Sequence, residues 1–132
     1  MAISYKLYQD KRTKGGTQLF YARAIHNQTR DLDYLAKQIE HNTSMTKGDV
    51  KNVLSELVTQ MKSSLQNSEK VVLNGFGRFY IGMVSAGADT EKDFKVSKHL
   101  KGYRVGFLPQ GTNDGSGVTR TFLEGLTCQK AE

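Results

Sequence analysis

The sequence predicts an α+β fold in which two helices pack on an antiparallel sheet, with a β-hairpin placed before them. Three observations carry that prediction. Apolar residues recur at helical spacing between residues 31 and 65, strand-like runs flank Asn74-Gly75-Phe76-Gly77, and two runs rich in Tyr, Phe, Leu and Ile open the chain. The 132 residues have the length of a single domain, but 13 glycines and no tryptophan leave little bulk for its core. The expected division is 1–28 as a hairpin extension, 29–109 as a helix-helix-sheet core, and 110–132 as a flexible linker with a short C-terminal helix.

The hairpin comes first. Ile3 to Tyr8 and Gln18 to Ile25 read as strands joined by the polar loop Asp10-Lys11-Arg12-Thr13-Lys14-Gly15-Gly16, an exposed tip with three cations. The first helix begins near Asp31, where Asp31 or Thr29 can cap it, and Leu32, Leu35, Ala36 and Ile39 form one apolar stripe. A second helix follows with a clearer start. Thr46 and Asp49 are spaced as a capping box, and Met45 and Val50 as a hydrophobic staple. Val50, Val53, Leu54, Leu57, Val58, Met61 and Leu65 then continue the stripe over about five turns, or roughly 30 Å.

That stripe is wider than one short helix and a small sheet can cover. Leaving it in water is costly, since each buried aliphatic side chain contributes roughly 1.5–3 kcal/mol. An obligate dimer is therefore expected.

After the helices, Val71–Leu73 and Arg78–Met83 read as strands around a turn in which Phe76 can plug the core. Alternation puts Phe79, Ile81 and Met83 on one face, matched by Tyr103, Val105 and Phe107 of a later strand. The other face holds Arg78, Tyr80 and Gly82 with Gly102, Arg104 and Gly106. Its glycines would let a broad, flat partner approach, and its arginines could hydrogen-bond phosphate oxygens. Read without any family in view, the same face is a lightly decorated solvent surface.

Charge is unevenly distributed along the chain. The net charge is +6, with +5 in residues 1–30, −2 in 31–69, +4 in 70–109 and −1 in 110–132. The helices are thus mildly acidic and the strands and their loops basic, which suits an anionic partner. Lys92, Lys95, Lys98, His99 and Lys101 form a second basic cluster before the last strand.

Other chemistry finds little support. Cys128 stands alone, and His26, His41 and His99 are scattered without metal-ligand spacing, so no metal, cofactor or catalytic set is expected and the chain reads as a non-enzyme. Gly75-x-Gly77 lacks the Gly and Lys-Ser/Thr of a phosphate loop and joins two strands. Asn27 and Asn42 open glycosylation sequons, which matter only in a secreted protein. No run approaches the roughly 20 apolar residues of a membrane span and no signal-peptide core is seen, so a cytoplasmic setting without membrane partner or small-molecule substrate is expected.

The helix pair and Gly75-Phe76-Gly77-Arg78-Phe79 resemble the HU/IHF family of bacterial histone-like proteins over residues 31–109. The N-terminal hairpin and the short segment between strands bring the chain nearer to the longer HU-related proteins of the Bacteroides group. Phe107-Leu108-Pro109-Gln110-Gly111 is similar to the family's sheet-ending Phe-x-Pro-Gly turn, with one residue inserted. The resemblance implies an intertwined homodimer and architectural, largely sequence-independent binding of double-stranded DNA, with a nucleoid location. Arg78, Arg104, Lys92, Lys95, Lys98 and Lys101 are the candidate phosphate contacts, with Lys11, Arg12 and Lys14 as auxiliaries.

The family's intercalating arms have no counterpart here. Where they would stand, residues 85–100 are short, hold acids at Asp89, Glu91 and Asp93, and contain no tip proline. That departure supplies the alternative, a structural or protein-interaction module that keeps the HU-like scaffold without DNA binding and recruits another chain by strand addition.

Overall fold

The computed structural model describes residues 2–12, 15–16 and 18–132. Lys14, one of the auxiliary candidates, lies outside the described residues. In chain order the elements are β1 (Ala2–Gln9), β2 (Phe20–Ala24), α1 (Leu32–Asn42), α2 (Lys47–Gln66), β3 (Val71–Leu73), β4 (Gly77–Ser85), α3 (Val96–His99), β5 (Leu100–Pro109), β6 (Gly111–Asn113), β7 (Val118–Arg120) and β8 (Thr127–Lys130). Strands combine into three units ordered β2-β1-β8, β3-β4-β5 and β6-β7. The α+β expectation holds.

Both helix starts follow from their caps. Asp31 accepts the Tyr34 backbone N–H at 2.9 Å, which satisfies one orphan donor of α1. At α2, Thr46 Oγ1 accepts the Asp49 N–H at 3.2 Å while the Asp49 carboxylate accepts the Thr46 N–H at 3.4 Å, forming the reciprocal box. The other end of α2 closes on Ser68, whose φ of +65° puts it in the left-handed region. Its N–H reaches the Leu65 carbonyl at 3.2 Å, and the Glu69 N–H reaches that of Ser64 at 3.1 Å. This is the pairing of a Schellman ending, built on serine instead of glycine.

An ion pair ties the helices together. Lys51 Nζ lies 2.7 Å and Lys47 Nζ 3.7 Å from Asp33 Oδ1. The Lys51 hydrogen bond holds the Asp33 carboxyl below its usual value, and Asp33 in turn raises Lys51. Because the folded-state value of Asp33 is depressed, the pair's support is present above the ordinary carboxylate range and lost as pH falls through the lowered value. The groups are exposed, so the effect is small.

Sheet register agrees with the alternation. Phe79 pairs with Phe107, Ile81 with Val105 and Met83 with Tyr103 on one face, and the Phe79 and Phe107 rings stack at 4.8 Å. At Gly77, with φ +145°, a Cβ would meet the Leu108 carbonyl and lie 2.9 Å from both the Phe107 ring and Pro109 Cα. Glycine there lets β5 close tightly on β4. The register slips beside Val84 and Ser85, leaving Lys101 as the extra residue of a bulge.

Three expectations change. Phe76 does not plug the core but is 52% exposed, because the turn closed by its N–H on the Leu73 carbonyl carries the ring outward. Residues 118–126 form no α-helix. Val118–Arg120 pairs with Gly111–Asn113 as a hairpin, so residues 114–117 make its turn and not a loose linker. The tail beyond it is a strand as well, since Thr127–Lys130 adds in parallel to β1 and the Ala131 N–H bonds the Tyr5 carbonyl at 2.9 Å. In place of an arm, residues 91–93 and 96–99 make two short helical turns, closed by the Ala86 N–H on the His99 carbonyl at 2.8 Å.

Covered apolar surface is scarce. Ala36 and Val50 are the only buried hydrophobic residues among those described, while Val53, Val58 and Val105 are 56%, 66% and 70% exposed. The accessible surface is 11331 Å², against about 6,900 Å² for a compact monomer of this mass. No described helix is long and apolar enough to cross a membrane.

The left-handed serine is open to a direct check. Ser68→Gly should raise stability by about 0.5–1 kcal/mol, read as a higher denaturant midpoint at unchanged slope. A lower midpoint would contradict the strain assigned to that ending.

Candidate nucleic-acid interface

The face of β3-β4-β5 opposite the phenylalanine stack is formed by strand alternation. Arg78 stands across from Leu108, Tyr80 from Gly106, Gly82 from Arg104 and Val84 from Gly102. The glycines here do not hold open a bare saddle, which corrects the expectation drawn from the sequence. A Cβ on Gly106 would run into the Tyr80 ring, and one on Gly82 would lie 3.1 Å from Arg104 Nε. The space is taken by side chains of the same sheet. Val72, Val84 and Leu108 are exposed alongside, so the face is a mixture of apolar and cationic groups.

Arg78 borders a cleft of about 300 Å³ whose other wall is Arg120, with Pro109, Gln110 and Gly111 between them and no carboxylate in its lining. Arg120 Nη1 donates to the Pro109 carbonyl at 2.7 Å, which anchors the half-buried guanidinium beside Arg78. Sequence reasoning missed Arg120. It fell in a stretch read as a terminal helix, and only the pairing of Gly111 with Arg120 brings it to the end of β5.

The lysines lie at the far end of the hairpin. Lys92 sits on the turn Glu91–Asp93 between two acids, Lys98 lies on α3, and Lys101 stands at the bulge. Next to α3, the Lys95 backbone N–H meets His99 Nδ1 at 3.0 Å, and the His99 ring stacks on Phe94 at 5.2 Å. Seven residues separate Arg78 from Ser85, or about 23 Å along β4. The structure therefore spreads the cations, with Arg78 and Arg120 at one end, Arg104 in the middle and four lysines at the other.

Lys11 and Arg12 belong to a different sheet, in the β1–β2 loop, where the Arg12 N–H donates to Asp10 Oδ1 at 2.9 Å. Among the described residues the ion pairs are those of Asp33 with Lys47 and Lys51. Arg78, Arg104, Arg120 and the lysines of residues 92–101 thus have no carboxylate within ion-pair distance. No cluster of three or more His, Cys, Asp or Glu suited to a metal is found among the described residues.

A family model described as an HU domain fused to a wHTH, Ig, or glycine-rich motif matches residues 1–115. Among solved structures, the chain is similar to a crystal structure from Bacteroides vulgatus ATCC 8482 of a candidate bacterial DNA-binding protein, with a TM-score of 0.63 and 9% identity. The match covers 98% of this chain and 47% of that one, so the chain spans about half the length of that protein. At such identity the likeness shows the fold alone. No curated protein matches the sequence.

The contact of Tyr80 with Gly106 can be tested by filling the glycine. Gly106→Val should cost about 1–3 kcal/mol, because the ring must leave its seat. Gly87→Ala, where an added Cβ meets nothing within 4 Å, should stay within about 0.5 kcal/mol of the parent. Equal denaturant midpoints for the two variants would rule out the packing described.

Proposed function

The chain belongs to the HU-HIG family, of HU domains fused to a wHTH, Ig, or glycine-rich motif, and from that membership we propose that it binds double-stranded DNA as an architectural protein. One observation carries the reading. The cations of β4, β5 and the segment between them have no ion-pair partner among the described residues and extend along about 23 Å, roughly two thirds of a DNA turn. Such groups gain most from phosphates, whose condensed counterions they release.

In this reading Arg78 and Arg120 take one phosphate position at their cleft, and Arg104 holds an intermediate one. Lys92, Lys95, Lys98 and Lys101 engage the backbone beyond, with Lys11, Arg12 and Lys14 as auxiliaries. Contacts of this kind position a duplex without reading its bases, so sequence preference is small. A proline wedge has no part in it, because Pro109 is paired across from Gly77 at the end of β5. The binding unit is a homodimer, supported by the excess of accessible surface and by Val53 and Val58 of the α2 stripe, which stay exposed. The role is one of binding and shaping DNA at the nucleoid, without catalysis.

The test is a titration of a labelled duplex of about 30 base pairs, roughly three turns, at several salt concentrations. Affinity should rise steeply as salt falls, with little change between sequences. Arg78→Ala, Arg104→Ala and Arg120→Ala should each weaken binding to every sequence alike and lower the salt slope by about one unit. No binding at low salt, or a variant that changes sequence preference, would defeat the proposal, and the first result would point to a protein partner instead.

A further inference from the structure

The sheet β2-β1-β8 has two faces of opposite character. Its register pairs Tyr5 with Ala24, Leu7 with Ala22 and Gln9 with Phe20 on one side, where Ile3, Cys128 and Lys130 also lie. On the other side Lys6 pairs with Arg23 and Tyr8 with Tyr21. Two cations and two aromatic rings therefore share four neighbouring positions. The Tyr8 and Tyr21 rings lie 6.1 Å apart, and the Arg23 guanidinium sits over the Tyr8 ring at 4.1 Å.

Both faces of this sheet are open to solvent in the chain, with Leu7 48% and Phe20 64% exposed on the first. Tyr8 is 40% and Tyr21 45% exposed, and Lys6 and Arg23 are exposed as well. No Asp or Glu lies on the strand positions of this face, and residues 1–30 carry a net charge of +5.

We propose that this face is a stacking platform for single-stranded nucleic acid. Cations alone would suit any polyanion, but the rings narrow the choice. A duplex hides the faces of its bases, whereas an unpaired strand offers them to aromatic rings and to the plane of an arginine while its phosphates meet lysine. Tyr21 and the Arg23 guanidinium over Tyr8 supply two such surfaces, with Lys6 beside them for the backbone. The site lies on a different sheet from the main duplex contacts proposed above, and the auxiliary Lys11 and Arg12 stand in the loop of its hairpin and not on its strand faces.

The experiment measures anisotropy of a labelled oligothymidine of about 15 nucleotides, near the upper end of site sizes for single-strand-binding sheets. A 30-base-pair duplex serves as a parallel probe. The parent protein should bind the oligothymidine. A double variant with Tyr8→Ala and Tyr21→Ala should lose at least about tenfold in that affinity, with duplex affinity held within twofold. Tyr8→Phe with Tyr21→Phe, which keeps the rings, should bind as the parent does.

Absence of oligothymidine binding would overturn the proposal, as would equal affinity in the alanine variant. A phenylalanine variant as weak as the alanine one would overturn it too, since the hydroxyls and not the rings would then be the contact. A parallel loss of duplex binding would also count against it. Duplex binding that fails in the parent while the single strand still binds would sink the architectural reading and leave this one standing.

Discussion

The rest of the structure follows from apolar surface that the single chain leaves uncovered. α2 is a 20-residue helix whose stripe runs its whole length, while α1 has 11 residues and the adjoining sheet three strands. The result is a chain with Ala36 and Val50 buried and a long row of valines, leucines and isoleucines left outside. Each such side chain contributes roughly 1.5–3 kcal/mol when buried. That is more than a helix cap or an exposed ion pair contributes, typically about 1 kcal/mol or less. In the proposed homodimer a second copy supplies the missing layer, while the caps at Asp31 and Thr46 fix where the helices begin.

The same constraint shapes the candidate interface. Strand alternation that turns Phe79, Ile81, Phe107 and Val105 toward the apolar side turns Arg78 and Arg104 to the other. Apolar side chains on one face and charge on the opposite face are thus consequences of one register, and a slip by a single residue would exchange them. Tyr80 seated on Gly106 and Arg104 laid across Gly82 resist such a slip, because each needs a glycine directly opposite. The bulge at Lys101 ends this regular ladder just where the lysine segment joins β5.

What the sequence revealed was whatever is local. The capping box at Thr46, the stripe beginning at Val50 and the pairing of Phe79 with Phe107 depend on neighbours a few residues away or on a simple period of two. Long-range pairing was not legible. The tail read as a short helix because its mixed composition says nothing of β1, 125 residues away, to which Thr127–Lys130 attaches. Arg120 escaped for the same reason, and the open glycine face was misread because the reach of Tyr80 and Arg104 across the strand is invisible in spacing. The amphipathic character of β1 and β2 could have been read from alternation, once the register of Lys6 with Arg23 was known.

Whether folding and association are one event is the most direct test of this account. Chemical denaturation followed at protein concentrations from about 1 to 100 μM separates the possibilities, because a chain that folds only on pairing gains stability by mass action. The account predicts a midpoint that rises with concentration, with one transition seen by every probe. A midpoint that stays the same across that range would show that the single chain is stable with its helix stripe in water, and would contradict the view that a second copy completes its core.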